Sequence, residues 1–110
     1  MRVLVCGGRD YDDYEKLQNV LGQMPNITEI IHGGARGADT LAGYYARGRS
    51  VKETVVLAEW SIYGKSAGYR RNVKMADLSP DLVVAFPGGK GTAMMIKIAR
   101  ERGIPVQEVI

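Results

Sequence analysis

Apolar and polar positions fall in alternating blocks along the 110 residues. Five short runs rich in β-branched and apolar side chains recur, at Arg2 to Cys6, Thr28 to His32, Glu53 to Glu59, Asp81 to Phe86 and Ile104 to Val109. Their length and residue types predict strands. The first and fourth are almost continuously apolar, the pattern of strands covered by helices on both faces of a parallel sheet. Between them the spacing turns helical. Tyr14, Leu17, Val20, Leu21 and Met24 share one face of a first helix behind Asp12 and Asp13, carboxylates suited to a helix N-terminus. A second helix is expected from about Ala35 to Asp39 through Gly48. A third is expected from Lys65 to Leu78, where Pro80 cannot continue it. A fourth should begin after Gly91 and Thr92, bury Met95, Ile98 and Ala99, and end at Gly103. The Met94 and Met95 pair reads as core. Strict β-α alternation predicts a Rossmann-like three-layer α/β/α sandwich, a single domain over residues 1–110 on a parallel sheet of about five strands with right-handed crossovers.

Composition narrows the class without deciding function. A hydrophobic fraction of 45% and a charged fraction of 25% suit a packed globular core. No apolar run approaches the roughly 20 residues of a membrane span, and MRVLVCGGRD turns glycine-rich too early for a signal peptide, so a cytoplasmic protein is expected. The single cysteine, Cys6, and the single histidine, His32, offer no metal-ligand spacing, and neither a metal nor a resident cofactor is expected. The net charge of +3 favours anionic partners, but so small an excess does not separate nucleic acid from small phosphates.

The 14 glycines matter by where they fall. Three strand-to-helix junctions are glycine-rich: Gly7-Gly8-Arg9-Asp10, Gly33-Gly34-Ala35-Arg36-Gly37-Ala38-Asp39, and Pro87-Gly88-Gly89-Lys90-Gly91-Thr92. In a parallel sheet all three lie at the carboxyl edge, where open α/β proteins bind ligands. Each leads into a helix whose first amides are unpaired, so together they form a phosphate cradle, with Arg9, Arg36 and Lys90 supplying charge. Thr92 can donate a hydroxyl or cap its helix. Neither the GxGxxG dinucleotide fingerprint nor the P-loop register is present, which disfavours an ordinary dehydrogenase or ATPase. The fourth junction, Trp60 to Asn72, mixes the rings of Trp60 and Tyr63 with Lys65, Arg71 and Asn72, a composition able to stack a base and hold a phosphate or ribose, the alternative being that the rings cover the sheet edge and Arg70 and Arg71 are solvated helix charges. Asp39 could hold ribose hydroxyls, or simply cap or pair with Arg36. His32 could be a structural residue or an acid–base group. Cys6, with no basic partner in view, reads as core.

With GGRD, HGGARGADTLA, AEWSIYGKSAGYRRN and PGGKGT in order, the chain resembles the SLOG superfamily, and most closely its small YspA-like members. That resemblance implies a Rossmannoid fold and a site for a nucleotide-derived ligand, such as ADP-ribose, an NAD-related molecule or a signalling nucleotide. Lonely-guy-type phosphoribohydrolases share the PGGxGT loop, here Pro87 to Thr92, but continue into a catalytic glutamate where this chain has Ala93, Met94 and Met95. The DNA-processing protein A family shares a GxARGxD loop similar to Gly33 through Asp39.

Three functions follow. A binding module for a phosphate-bearing nucleotide would sense or sequester its ligand. A hydrolase cleaving an N-glycosidic or phosphate bond would need an acid–base group, with Glu59, Asp10, Asp39 and His32 as candidates. Single-strand nucleic-acid binding is disfavoured by the small basic excess. Tyr44, Tyr45 and the Met-rich last helix leave a homo-oligomer open.

Overall fold

A computed structural model describes residues 1–110. Its strands are β1 (Arg2–Cys6), β2 (Glu29–His32), β3 (Lys52–Val55), β4 (Leu82–Ala85) and β5 (Val106–Glu108). They form one sheet in the order β3-β2-β1-β4-β5, and every neighbouring pair is parallel. The helices are α1 (Tyr14–Gly22), α2 (Ala38–Gly48), α3 (Trp60–Tyr63), α4 (Ala67–Asp77) and α5 (Lys90–Glu101), with a single 3₁₀ turn at Gly64–Ser66.

The central strand explains the layering. Successive side chains of β1 point to opposite faces, so Val3 and Val5 enter one core while Leu4 and Cys6 enter the other. On the first face they meet Leu17 and Leu21 of α1 and Ala42, Tyr45 and Ala46 of α2. On the second they meet Met75 and Ala76 of α4 and Met95, Ile98 and Ala99 of α5. The chain after β1 therefore turns to one face and the chain after β4 to the other. The crevice left between these two adjacent strands is the switch point at which such sheets bind ligands.

The ends of the helices follow from local chemistry. Asp13 caps α1 by accepting from the Lys16 N–H at 3.0 Å. Past the end of α5, Gly103 takes a left-handed φ of 71°. Its N–H donates to Arg100 O and that of Ile104 to Ala99 O, closing the helix in a Schellman turn.

Three expectations need correction. β3 ends at Val55, short of Glu59, because it is an edge strand paired only with β2 and the chain leaves the sheet to build the rim. The expected third helix starts at Ala67 rather than Lys65, behind the unexpected short α3 and a 3₁₀ turn that begins at Gly64, whose φ of 57° suits glycine. The last helix starts at Lys90, not after Thr92, which places Gly91 and Thr92 within its first turn. Of the two tyrosines expected on an apolar face, Tyr45 is buried, while Tyr44 is exposed with the Arg47 guanidinium 5.4 Å from its ring centre. No helix is long and apolar enough to cross a membrane.

Two carboxylates tie the β3 edge to the interior. Glu29 accepts from Arg2 Nε at 2.9 Å and from the Thr54 hydroxyl. Glu53 accepts from His32 Nε2 and from Arg47 Nη1, both at 2.6 Å. These bonds hold both groups below the ordinary glutamate value of 4.5, chiefly through Arg2 for Glu29 and His32 for Glu53. A lowered carboxyl contributes stability above its unfolded value and loses it as pH falls through the folded one. Glu53→Gln should therefore cost about 1–3 kcal/mol at neutral pH. In urea denaturation the gap from the parent protein should close as pH drops below 4.5; a gap independent of pH would contradict the assignment.

Candidate functional site

The loops after β1 and β4 approach each other until their backbones touch. The Gly8 N–H donates to Pro87 O at 2.9 Å, and a β-carbon at Gly88 would lie only 2.7 Å from the Gly8 nitrogen. The loop after β2 is drawn into the same group, since Gly8 O accepts from the Ala38 N–H at 3.1 Å at the start of α2. Gly37 makes this possible. Its φ is 78°, and a side chain there would collide with the Gly8 carbonyl and the Arg9 backbone.

Beside this junction lies a cavity of about 340 Å³, lined by Gly7, Gly8 and Arg9 from the first loop, Ala35 and Asp39 from the second, and Gly89 to Thr92 from the third. Arg71 and Asn72 of α4 close another side, and Cys6, Met75 and Met95 supply its apolar lining. A second cavity of about 390 Å³ shares Arg9, Ala35 and Arg71 with it and adds Gly33, Gly34, Arg36, Leu57, Ala58 and Trp60. The shared residues make Arg71 a divider between two compartments. Its Nη1 donates to Gly33 O at 2.8 Å and its Nε to Asn72 Oδ1 at 3.1 Å, while Asn72 Nδ2 reaches Gly91 O at 3.4 Å. This chain of bonds ties the β2 loop to the start of α5.

Not every glycine amide expected to face a ligand is free to do so. The Gly33 and Ala35 N–H groups both donate to Asp39 Oδ2, at 3.2 and 3.1 Å, and the Gly34 N–H donates to His32 Nδ1 at 3.0 Å. Three successive amides of the β2 loop are thus spent on holding its shape, and Gly8 is spent on Pro87. The start of α5 leaves four in succession open. The N–H groups of Gly89, Lys90, Gly91 and Thr92 have no protein acceptor, the first intrahelical bond being that of Ala93 to Gly89 O, and all four residues line the cavity.

The proposed acid–base residues separate clearly. Asp39 alone among the four lines the first cavity. Burial pushes its carboxyl above the ordinary 3.8, against the pull of the Ala35 and Gly33 amides and the Arg71 guanidinium. Both ring nitrogens of His32 are engaged, Nδ1 as acceptor from Gly34 and therefore Nε2 as donor to Glu53, which pins a tautomer without leaving a nitrogen for a ligand. Glu59 is exposed and pairs with Lys74 at 3.7 Å. Asp10 is exposed and lines neither compartment. The Cys6 thiol does line the cavity, but burial first and Asp39 second push it up to about 12, so it stays protonated and unreactive near neutrality.

Among the expected ring and cation residues, Trp60, Arg71 and Asn72 come to the compartments, whereas Tyr63 and Lys65 do not. The break at Gly64 leaves Tyr63 on the outer surface, with the Arg70 guanidinium 4.4 Å from its ring centre. Arg36 reaches only the second compartment, and Gly88 serves the loop contact. Met75, Met95, Leu57 and Ala58 were not expected at the site. Met75 follows Asn72 by three residues and Met95 follows Thr92 by three, so each shares a helix face with a site residue.

Comparison with known proteins agrees with this architecture. Residues 1–63 match the family described as "YspA, cpYpsA-related SLOG family". The chain belongs to that SLOG family. The "Gene 61 protein" of Mycobacterium phage D29 is similar to it, 36% identical over 116 residues, an alignment that takes in 96% of this chain and 93% of the phage protein. The family match spans the loops after β1 and β2 and ends with α3, while the phage relative aligns over nearly the whole chain.

Two glycines of this SLOG protein should respond oppositely to the same change. Gly37→Ala should lose about 1–3 kcal/mol because its positive φ and the Gly8 carbonyl leave no room for a β-carbon. Gly91→Ala, with open space around it in the first turn of α5, should keep or raise stability by up to about 1 kcal/mol. Urea midpoints of the two variants measure both effects.

Proposed function

We propose that this SLOG protein binds a nucleotide-derived ligand carrying at least one phosphate, and that it acts as a sensor or sequestering module. The observation that carries this reading is the run of four unpaired amides, Gly89 to Thr92, at the N-terminus of the 12-residue helix α5, opening into the cavity at the β1/β4 switch point. Such a terminus combines free donors with a positive dipole end, and it favours an anion. Arg9, Arg71 and Lys90 line the same cavity and supply full charges. A phosphate would sit over these donors, with the apolar surface of Cys6, Met75 and Met95 limiting access of water.

The second compartment suits the remainder of a nucleotide. Leu57, Ala58 and Trp60 offer an apolar and aromatic wall, and Arg36 and Arg71 offer guanidinium planes against which a base can stack. The two volumes of about 340 and 390 Å³ fall in the usual range for small-molecule sites. Bound across both, a ligand would pass Arg71, whose Nη2 carries no protein hydrogen bond.

Binding is favoured over hydrolysis by the supply of carboxylates. Glycosidic cleavage by a protein acid–base pair needs two of them near the bond, and Asp39 is the one carboxylate lining either compartment. Where the lonely-guy-type enzymes carry their glutamate, α5 carries Met94 and Met95, and Met95 lines the cavity.

Titration calorimetry with adenosine 5′-monophosphate and ADP-ribose tests the proposal. Saturable binding is expected, and Arg71→Ala and Lys90→Ala should each weaken it by about 1–3 kcal/mol, as for charge-assisted bonds to phosphate. Arg36→Ala should weaken ADP-ribose without changing inorganic phosphate. Chromatography after prolonged incubation should return the nucleotides intact; released free base would favour the hydrolase.

A further inference from the structure

We infer that Asp39 is the specificity-determining residue of the cavity, accepting a hydrogen bond from a ribose hydroxyl so that the site prefers a ribonucleotide to its deoxy counterparts. The inference rests on the nucleotide reading above and adds to it the identity of the sugar.

Asp39 does two different things with its two oxygens. Oδ2 accepts from both the Gly33 and Ala35 amides. Oδ1 accepts from no protein group, and it is not among the sealed polar atoms without a partner, a description met only by the Tyr11 hydroxyl. The residue is 7% exposed and lines the cavity, so Oδ1 meets solvent there.

The loop-holding role does not call for a carboxylate. An asparagine could accept from the same two amides through its carbonyl oxygen, without the cost of burying a charge. Nor does a phosphate call for one, since a negative group beside the anion opposes its binding. Among the side chains lining this cavity, Arg9, Arg71 and Lys90 can only donate, and Asp39 is the only carboxylate. A ligand satisfying all of them presents anionic oxygens to the amides of α5 and a hydrogen-bond donor to Asp39. A phosphorylated ribose carries both within a few bonds, and a carboxylate accepting from a hydroxyl discriminates strongly against an analogue that lacks it.

The test compares adenosine 5′-monophosphate with its 2′-deoxy and 3′-deoxy forms, and with inorganic phosphate, by calorimetry on the full chain. At least one of the deoxy forms should bind about tenfold or more weakly than the ribonucleotide. Asp39→Asn should remove most of that difference while leaving phosphate affinity equal or higher. Equal affinity for all three nucleotides in the parent protein overturns the inference while leaving the phosphate site standing, and so does full discrimination surviving in Asp39→Asn. Failure of every probe, phosphate included, overturns the nucleotide reading and this inference together. If Asp39→Asn does not fold, the ratio among the three nucleotides on the parent protein decides.

Discussion

The contact between two backbone turns, Gly8 N–H on Pro87 O, governs the rest of the molecule's upper edge. It holds the ends of β1 and β4 at hydrogen-bonding distance just where their chains diverge to opposite faces of the sheet. Because Gly8, Gly88 and Gly37 carry no side chain where the loops meet, the α2 start can close in as well, through Ala38 N–H on Gly8 O. A rim assembled by main-chain bonds leaves its side chains available, and it aims the N-terminus of α5 into the space between.

That economy has a second consequence. In a small domain every loop must satisfy its own polar backbone or expose it. The β2 loop does the former over its first half, with Asp39 and His32 absorbing three successive amides. The β4 loop does the latter, and the amides it leaves open are those best placed for an anion. Three glycine-rich loops that look equivalent in composition therefore differ in use: the first and third form the contact, the second is held by its own side chains, and the third also presents four successive free amides. Arg71 joins the last two, with one bond to Gly33 O and another to the Asn72 side chain that reaches Gly91 O.

The buried carboxylate follows from the same division. Asp39 sits under a cavity whose other charged linings are cations, and it is held there by amides that the β2 loop could not otherwise satisfy. Burial pushes its carboxyl up, and the Ala35 amide first, then His32 and the Arg71 guanidinium, pull the other way. The cavity thus mixes a donor-rich end with a single carboxylate, and this asymmetry orients any ligand having both anionic and donor groups.

Much of this was legible in the residues themselves. Strand runs such as Arg2 to Cys6 and Asp81 to Phe86 disclose a covered parallel sheet because continuous apolar runs have no other place to go, and parallel connectivity alone brings the glycine loops to one edge. Local signals also placed Asp13 and Gly103 at helix ends, since capping chemistry acts within a few residues. The sequence could not show which amides stay unpaired, for the partners of Gly8 and Ala38 lie in other loops and exist only once the sheet has formed. Nor could it show that Tyr63 turns outward while Arg71 turns in, because the left-handed Gly64 resets the helix phase between them. Residue type determined what each loop is able to bind; long-range hydrogen bonding decided which loop remains free to do it.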